Sequence, residues 1–457
     1  MHSPGMLGSA ERPSCAAGTV AVSSVDRRRR WPRPPRRWRR VSEGGAHSAA
    51  QPIGLYILCI AEGCAGFAFY TLGALLVLYL TEGAGLSEGT ALRWVGLYNG
   101  LCYVVPLVGG LLADRWLGLR VASQLGALLF AAGLALLSAT RDGHAPAFAL
   151  ALLVAGMALF RSNIAAMVGR ICPGRGGSGE RAYRLFYVAF NIGAVLAPPI
   201  AGALARGGHF RGSFALASFA MLLALFTLLL GHRSLANADA PQPECGLSDE
   251  TATGRRRSPR WIPIALVLQV SLLWTIAFAQ TDGTLLLWAR DHTDRFLLGR
   301  QLPASIFASV PALLVLILSP LLVLADRYTG TATSVGKLLV GLGLTAGGFA
   351  LLAIAAYVNV HPSSMLWLIG CLVLLTLGEL LVAPSTQAMI SRFAPPHRAA
   401  STLSLWYAAV AIGSWSAGQL GALWERAPKA TVFILAALST LFALLLVIVQ
   451  RDTLRDG

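Results

Sequence analysis

Twelve apolar runs follow one another along the chain, at approximately 53–80, 92–113, 119–139, 146–168, 183–206, 212–231, 262–288, 303–325, 334–358, 364–388, 399–423 and 429–450. Each is about 18 residues or longer. At ~1.5 Å per helical residue, such a run crosses a hydrocarbon core of roughly 30 Å. The pattern therefore predicts twelve transmembrane helices. It also predicts a duplication. Leu112-Ala113-Asp114-Arg115-Trp116-Leu117-Gly118 closes the second run, and Leu324-Ala325-Asp326-Arg327-Tyr328-Thr329-Gly330 closes the eighth. A charged turn that recurs at the same point of each set of six runs marks two similar halves. In many secondary transporters two such halves sit side by side in the bilayer with the substrate site between them. The expected fold is all-α, with two pseudo-symmetric six-helix bundles.

Polar stretches divide the chain accordingly. Residues 1–51 form a basic tail with ten arginines and no apolar run, expected to be a disordered cytoplasmic segment. Residues 52–231 form the first bundle, 232–261 a cytoplasmic linker, 262–450 the second bundle and 451–457 a short tail. An even number of spans puts both termini on one side. With the N-terminus inside, basic residues at inner loops and the C-terminal tail outnumber those at outer loops by 17 to nine, the orientation the positive-inside tendency favours.

Composition changes the picture only by exclusion. The chain has 457 residues, 55% hydrophobic and 13% charged, with a mean hydropathy of +0.63. Its net charge of +16 reports topology, and no nucleic-acid-binding motif accompanies it. The seven cysteines are scattered without a C-x-x-C pair, so neither a zinc site nor a disulfide framework is indicated. No H-E-x-x-H and no P-loop occurs, which argues against an intramembrane zinc protease or a built-in ATP motor. No metal or cofactor is expected, with the proton as a coupling ion.

Ionised side chains inside a bilayer are expensive and normally mark function. Four fall more than four residues inside the ends of the predicted spans: Glu62, Arg161, Asp282 and Glu379. Counted at helical rise, Glu62 lies ~13 Å and Arg161 ~11 Å from the inner end of their helices, so that the two can pair. Glu379 lies ~14 Å deep in the other half, and Asp282 near the outer end of the seventh span. A cation in one half and a carboxylate in the other can hold the two ends of a zwitterion, with Asn191 adding a neutral hydrogen bond. The alternative is a structural Glu62–Arg161 pair with Glu379 as a packing group.

Four stretches resemble a known family. Gly109-Gly110-Leu111-Leu112-Ala113-Asp114-Arg115, followed by Gly118, resembles the inner-loop motif of the major facilitator superfamily. Leu159-Phe160-Arg161-Ser162-Asn163-Ile164 is similar to F-K-P-N-I on the fourth helix of the proton-dependent oligopeptide transporter family. Phe186-Tyr187 through Asn191 to Gly193 is similar to its F-Y-x-x-I-N-x-G on the fifth, and Thr376-Leu377-Gly378-Glu379-Leu380 to its T-L-G-E-L on the tenth. The resemblance covers about residues 52–450. It implies that Arg161, in place of the family's lysine, engages the peptide carboxyl end, that Asn191 contacts the peptide backbone, and that Glu379 binds the amino end. Tyr98 and Trp406 fall where the family lines its cavity.

The departures are specific. The family's E-x-x-E-R on the first helix reads Glu62-Gly63-Cys64-Ala65-Gly66 here, keeping only the first acid. Gln280 stands for the glutamate of the seventh helix, with Asp282 two positions on, and Pro311 for an asparagine of the eighth. The two extra helices that most bacterial relatives carry between the halves are absent. The resemblance implies proton-coupled uptake of di- and tripeptides or related small zwitterions by a monomer in the inner membrane, with Glu62, Glu379, Gln280 and Asp282 as coupling or gating positions. An uncoupled facilitator or exporter of another metabolite, and a non-transporting receptor on the same fold, remain the alternatives.

Overall fold

A computed structural model describes residues 53–139, 145–172, 178–239, 261–329, 333–358, 362–394 and 399–455. The expected basic tail 1–51 and most of the linker lie outside these residues. The first half contains α1 (Ile53–Leu78), α2 (Glu88–Leu112), α3 (Leu119–Ala139), α4 (Ala145–Ile171), α5 (Ser178–Leu204) and α6 (Phe210–Leu230). The second half opens with α7 (Trp261–Phe278), which breaks over residues 279–283 and resumes as α8 (Thr284–Asp291). It continues with α9 (Ser309–Thr329), α10 (Ser334–Tyr357), α11 (Met365–Phe393), α12 (Ala399–Gly421) and α13 (Lys429–Val449), and a short α14 (Arg451–Arg455) closes the chain. Counting α7 and α8 as one broken span, the described residues form twelve long helical spans. Eleven are apolar enough to cross a membrane on composition alone. The other, α12, carries no charge but is diluted by serines, tryptophans and a glutamine.

Hydrocarbon offers helices no hydrophobic reason to associate, so they associate where small residues let backbones approach. α3 and α4 meet at Gly126 and Gly156, where a Cβ on either would lie 2.8 Å from the other's carbonyl oxygen. The inner-loop motif also depends on a glycine. Gly118 has φ +75° and turns α2 into α3, with its N–H on the Ala113 carbonyl at 2.8 Å. Asp114 lies 3.9 Å from Arg170 at the end of α4. In the repeated phrase, Asp326 and Arg327 belong to the last turns of α9, and their side chains lie outside the described residues.

After α6 the chain folds back onto this corner. Leu235 and Ala238 are buried, Arg120 pairs with Asp239, and Arg170 donates to the Ala238 carbonyl at 2.9 Å. The Asp239 carboxylate lies over Gly118, 3.3 Å from where a Cβ would stand.

The halves meet mainly along α2 against α12 and α5 against α9. We call the side on which α1 begins the near side. The bonds that join the halves lie toward the far side. Glu425 accepts from the Gly89 N–H and the Ser87 hydroxyl, both at 3.3 Å. Pro199 has no N–H to offer the Val195 carbonyl one turn back, and Ser309 fills that vacancy at 3.1 Å. Ser305 bonds the Pro198 carbonyl at 3.1 Å, reaching it over Gly202. Gly96 and Gly418 touch backbone to backbone, where a Cβ on Gly96 would lie 2.6 Å from the Gly418 Cα.

The apolar core has the same asymmetry. One continuous cluster runs from the first half across the far side to Trp288, Trp424 and Phe433. A second, separate cluster around Ile264, Met389, Trp406 and Val447 fills the near part of the second half. The bundles are therefore joined on the far side and splayed on the near side.

Arg290, at the end of α8, clasps the far side. It pairs with Glu88 at 2.5 Å and Glu82 at 3.4 Å in the first half, and with neighbouring Asp291 at 2.6 Å. These bonds to the first half, and a third to the Thr81 hydroxyl at 3.2 Å, must break for the far side to open. Arg290→Gln is expected to raise the far-open to near-open ratio roughly three- to tenfold, equivalent to about 1 kcal/mol for partly exposed pairs. Alkylation of Cys102 from each side of a vesicle, in a chain whose other cysteines are serine, reads this ratio. An unchanged ratio would show that the clasp carries no bias.

Candidate substrate-binding cavity

Between the halves lies a cavity of about 570 Å³. α4 contributes Arg161 from the first half, and α11 contributes Glu379 from the second. Asp282 enters from the break between α7 and α8, its carboxylate accepting from Asn99 Nδ2 of α2 at 3.0 Å. Tyr70, Tyr98, Tyr103 and Tyr407 supply faces that combine an apolar ring with a hydroxyl, and Cys102 and Ser162 add smaller polar groups. Lining residues Tyr103, Leu107 and Arg161 are exposed, so the cavity opens toward the near side. The far side is closed over it by the contacts described above.

Arg161 is held by aromatic rings. Its guanidinium carbon lies 4.7 Å from the Phe190 ring centroid and 5.7 Å from that of Phe69, distances at which a cation is attracted to a ring face. The stacking fixes the guanidinium plane and leaves donors free for a carboxylate. Glu62 does not form the direct ion pair that matching depth predicts. It is buried in α1, and it shares with Arg161, Phe69 and Phe190 the lining of a small side crevice behind the main cavity. Instead the guanidinium rests against the adjacent Phe190 and Phe69 rings, whose centroids are 6.5 Å apart.

Three other expected site residues take different places. Asn191 is only 3% exposed and donates to the Tyr187 carbonyl one turn back at 2.8 Å, so its amide is committed within α5 and does not line the cavity. Trp406 is buried in the second half's core, where its indole N–H lies 3.0 Å from Ser271 Oγ and 3.2 Å from Thr386 Oγ1. The adjacent residue, Tyr407, faces the cavity instead. Gln280 is a buried brace at the α7–α8 break. It donates to the Ala417 carbonyl at 2.9 Å and accepts from Thr284 at 3.0 Å. Asp282, expected near the membrane edge, is in the cavity because the backbone breaks at Gly283 (φ −131°, ψ −91°) and re-aims the chain. Tyr98 lines the cavity as expected, and Asn99, Tyr70, Tyr103 and Tyr407 join it without having been singled out in the sequence.

Two pseudo-equivalent bundles around one polar cavity, open to one side and sealed to the other, define a secondary transporter. The sequence profile of the Major Facilitator Superfamily matches residues 58–418. The peptide transporter YePEPT of Yersinia enterocolitica is 28% identical, over 83% of this chain and 89% of its own length. The di-/tripeptide transporter of Lactococcus lactis is 23% identical, over 89% and 96%. Among solved structures, a peptide transporter POT in complex with sulfate superposes with a TM-score of 0.78 at 24% identity, covering 89% of this chain and 96% of that one. A POT family transporter in complex with 5-aminolevulinic acid gives 0.80 at 22% identity, covering 89% and 97%. The chain belongs to the major facilitator superfamily. It is a multi-pass membrane protein and a transporter, not an enzyme.

Proposed function

We propose that this protein takes up di- and tripeptides by alternating access, driven by protons, as a monomer in the inner membrane with both termini cytoplasmic. One observation carries the reading: Arg161 and Glu379 stand in opposite halves and line one cavity. A peptide whose carboxylate rests on Arg161 and whose ammonium group rests on Glu379 bridges the two bundles. Its arrival therefore favours closure of the near side, because only a bridging ligand contacts both halves. Supporting the substrate class are the relatives from Yersinia and Lactococcus, a peptide transporter and a di-/tripeptide transporter. The orientation rests on the excess of basic residues at the near ends, and one copy encloses the whole cavity.

For coupling, a proton on Glu379 or Glu62 would weaken the hold on the ammonium group or on Arg161 and so release the peptide. Uptake of labelled dialanine into proteoliposomes, with and without an inward proton gradient, tests the proposal. Accumulation above equilibrium under the gradient is the expected result. Equilibration without accumulation would make the chain an uncoupled facilitator, the reading favoured by the missing second acid and arginine after Glu62. No uptake by folded protein would reject peptides as substrates.

A further inference from the structure

Among the described residues, the acidic and basic side chains that line the main cavity are Arg161, Asp282 and Glu379. Only one of them is a cation. A neutral zwitterionic peptide joins Arg161 to Glu379 and adds no net charge, so it leaves Asp282 uncompensated. Asn99 supplies that carboxyl group with one neutral hydrogen bond at 3.0 Å, and among the described lining residues no second cation is left to pair with it.

The positions of the two carboxylates make the imbalance specific. Glu379 lies 14 residues into α11, which starts on the far side at Met365, while Asp282 lies nine residues before α8 ends there at Asp291. The eight regular residues of α8 put Asp282, just before the break, roughly 12 Å from that end, against roughly 21 Å for Glu379 in unbroken α11. Asp282 thus stands above the Arg161–Glu379 level, toward the sealed end of the cavity. Thr281, in the same turn, and Tyr98 of α2 line the same cavity.

We propose that Asp282 is a specificity-determining residue that takes a second cationic group of the substrate, so that this transporter prefers peptides carrying a lysine-type side chain. The inference rests on the peptide reading above. A lysine presents a compact ammonium on a flexible four-carbon stem, which suits a step of this size from a main chain held between Arg161 and Glu379. Its charge cancels the surplus carboxylate. An acidic side chain would add a third negative group beside two, and is disfavoured by the same electrostatics.

The test is competition against labelled dialanine uptake in proteoliposomes, using unlabelled dialanine, lysyl-alanine, alanyl-lysine and aspartyl-alanine. At least one lysine peptide is expected to compete at roughly one-tenth the concentration dialanine requires, and aspartyl-alanine to compete worst. Asp282→Asn keeps the shape and can still bond Asn99. In that variant the ratio between lysine peptide and dialanine is expected to fall to about one. Equal competition by neutral and lysine peptides in the unaltered protein would overturn the proposal and leave the peptide reading standing. So would a ratio that persists in Asp282→Asn, or a loss of gradient-driven accumulation that spares the ratio, which would make Asp282 a proton carrier. If none of the peptides, dialanine included, is taken up or competes, the peptide reading fails and this inference with it.

Discussion

Arg161→Ala is expected to lower the apparent affinity for dialanine by roughly 10- to 100-fold, the loss of charge-assisted hydrogen bonds worth about 1.5–3 kcal/mol. Arg161→Lys is expected to keep uptake within several-fold of the unaltered protein. The difference follows from what surrounds the side chain. Among the described residues Arg161 is the one cation on the cavity wall, and it lines both the side crevice it shares with Glu62 and the main cavity. Alanine removes the partner of the peptide carboxylate and leaves Glu62 without a nearby positive charge. Lysine restores the charge but gives up the planar fork and much of its stacking on Phe190, so recovery should be incomplete. Uptake as a function of dialanine concentration separates the three proteins. An Arg161→Ala protein with unchanged affinity would remove the basis for placing the carboxylate there.

Gly96→Val is expected to abolish transport while leaving each bundle folded. The contact between Gly96 and Gly418 is between backbones of opposite halves, and a Cβ on Gly96 would also lie 2.8 Å from the Ser414 carbonyl oxygen. No flexible side chain is present to move aside, so α2 and α12 must separate. Separation there opens the far side, while the interior packing of each bundle is untouched. The cycle would then stall in the far-open state, and Cys102, which lines the cavity, should be alkylated by a membrane-impermeant maleimide from the far side and no longer from the near side. Labelling that stays on the near side would show that the interface tolerates the extra carbons and that this contact does not set closure. Gly96→Ala should produce the same shift in smaller measure.

The depth of Arg161 and Glu379 could be counted from the sequence because both sit within long, continuous helices, where rise per residue is a fixed ruler. The same ruler misplaced Asp282. It assumes an unbroken helix, and the break at Gly283 carries no proline or charge cluster to announce it. Trp406 and Tyr407 illustrate a different limit. Adjacent residues on a helix differ by about 100° in direction, so a register uncertainty of one residue exchanges core for cavity. Asn191 was lost to a local competitor, the Tyr187 carbonyl one turn earlier, which polarity alone does not reveal. The Arg290 clasp was invisible for a further reason. Its partners Glu82 and Glu88 lie about two hundred positions away and share no periodicity with it. What the sequence displayed well was repetition and helix length; what it hid was every contact made between the halves.

The turn that follows α6 has a mechanical consequence. Because Asp239 and Ala238 are fastened to Arg120 and Arg170, the connection to the second half leaves the first from the α2–α3 corner and not from the end of α6. Any pull transmitted along that connection as the bundles rock is delivered to the Gly118 bend and the feet of α3 and α4. The fastening works as a strain relief does on a cable: it shields the membrane end of α6 from tension and loads the corner built around Asp114, Arg115 and Gly118.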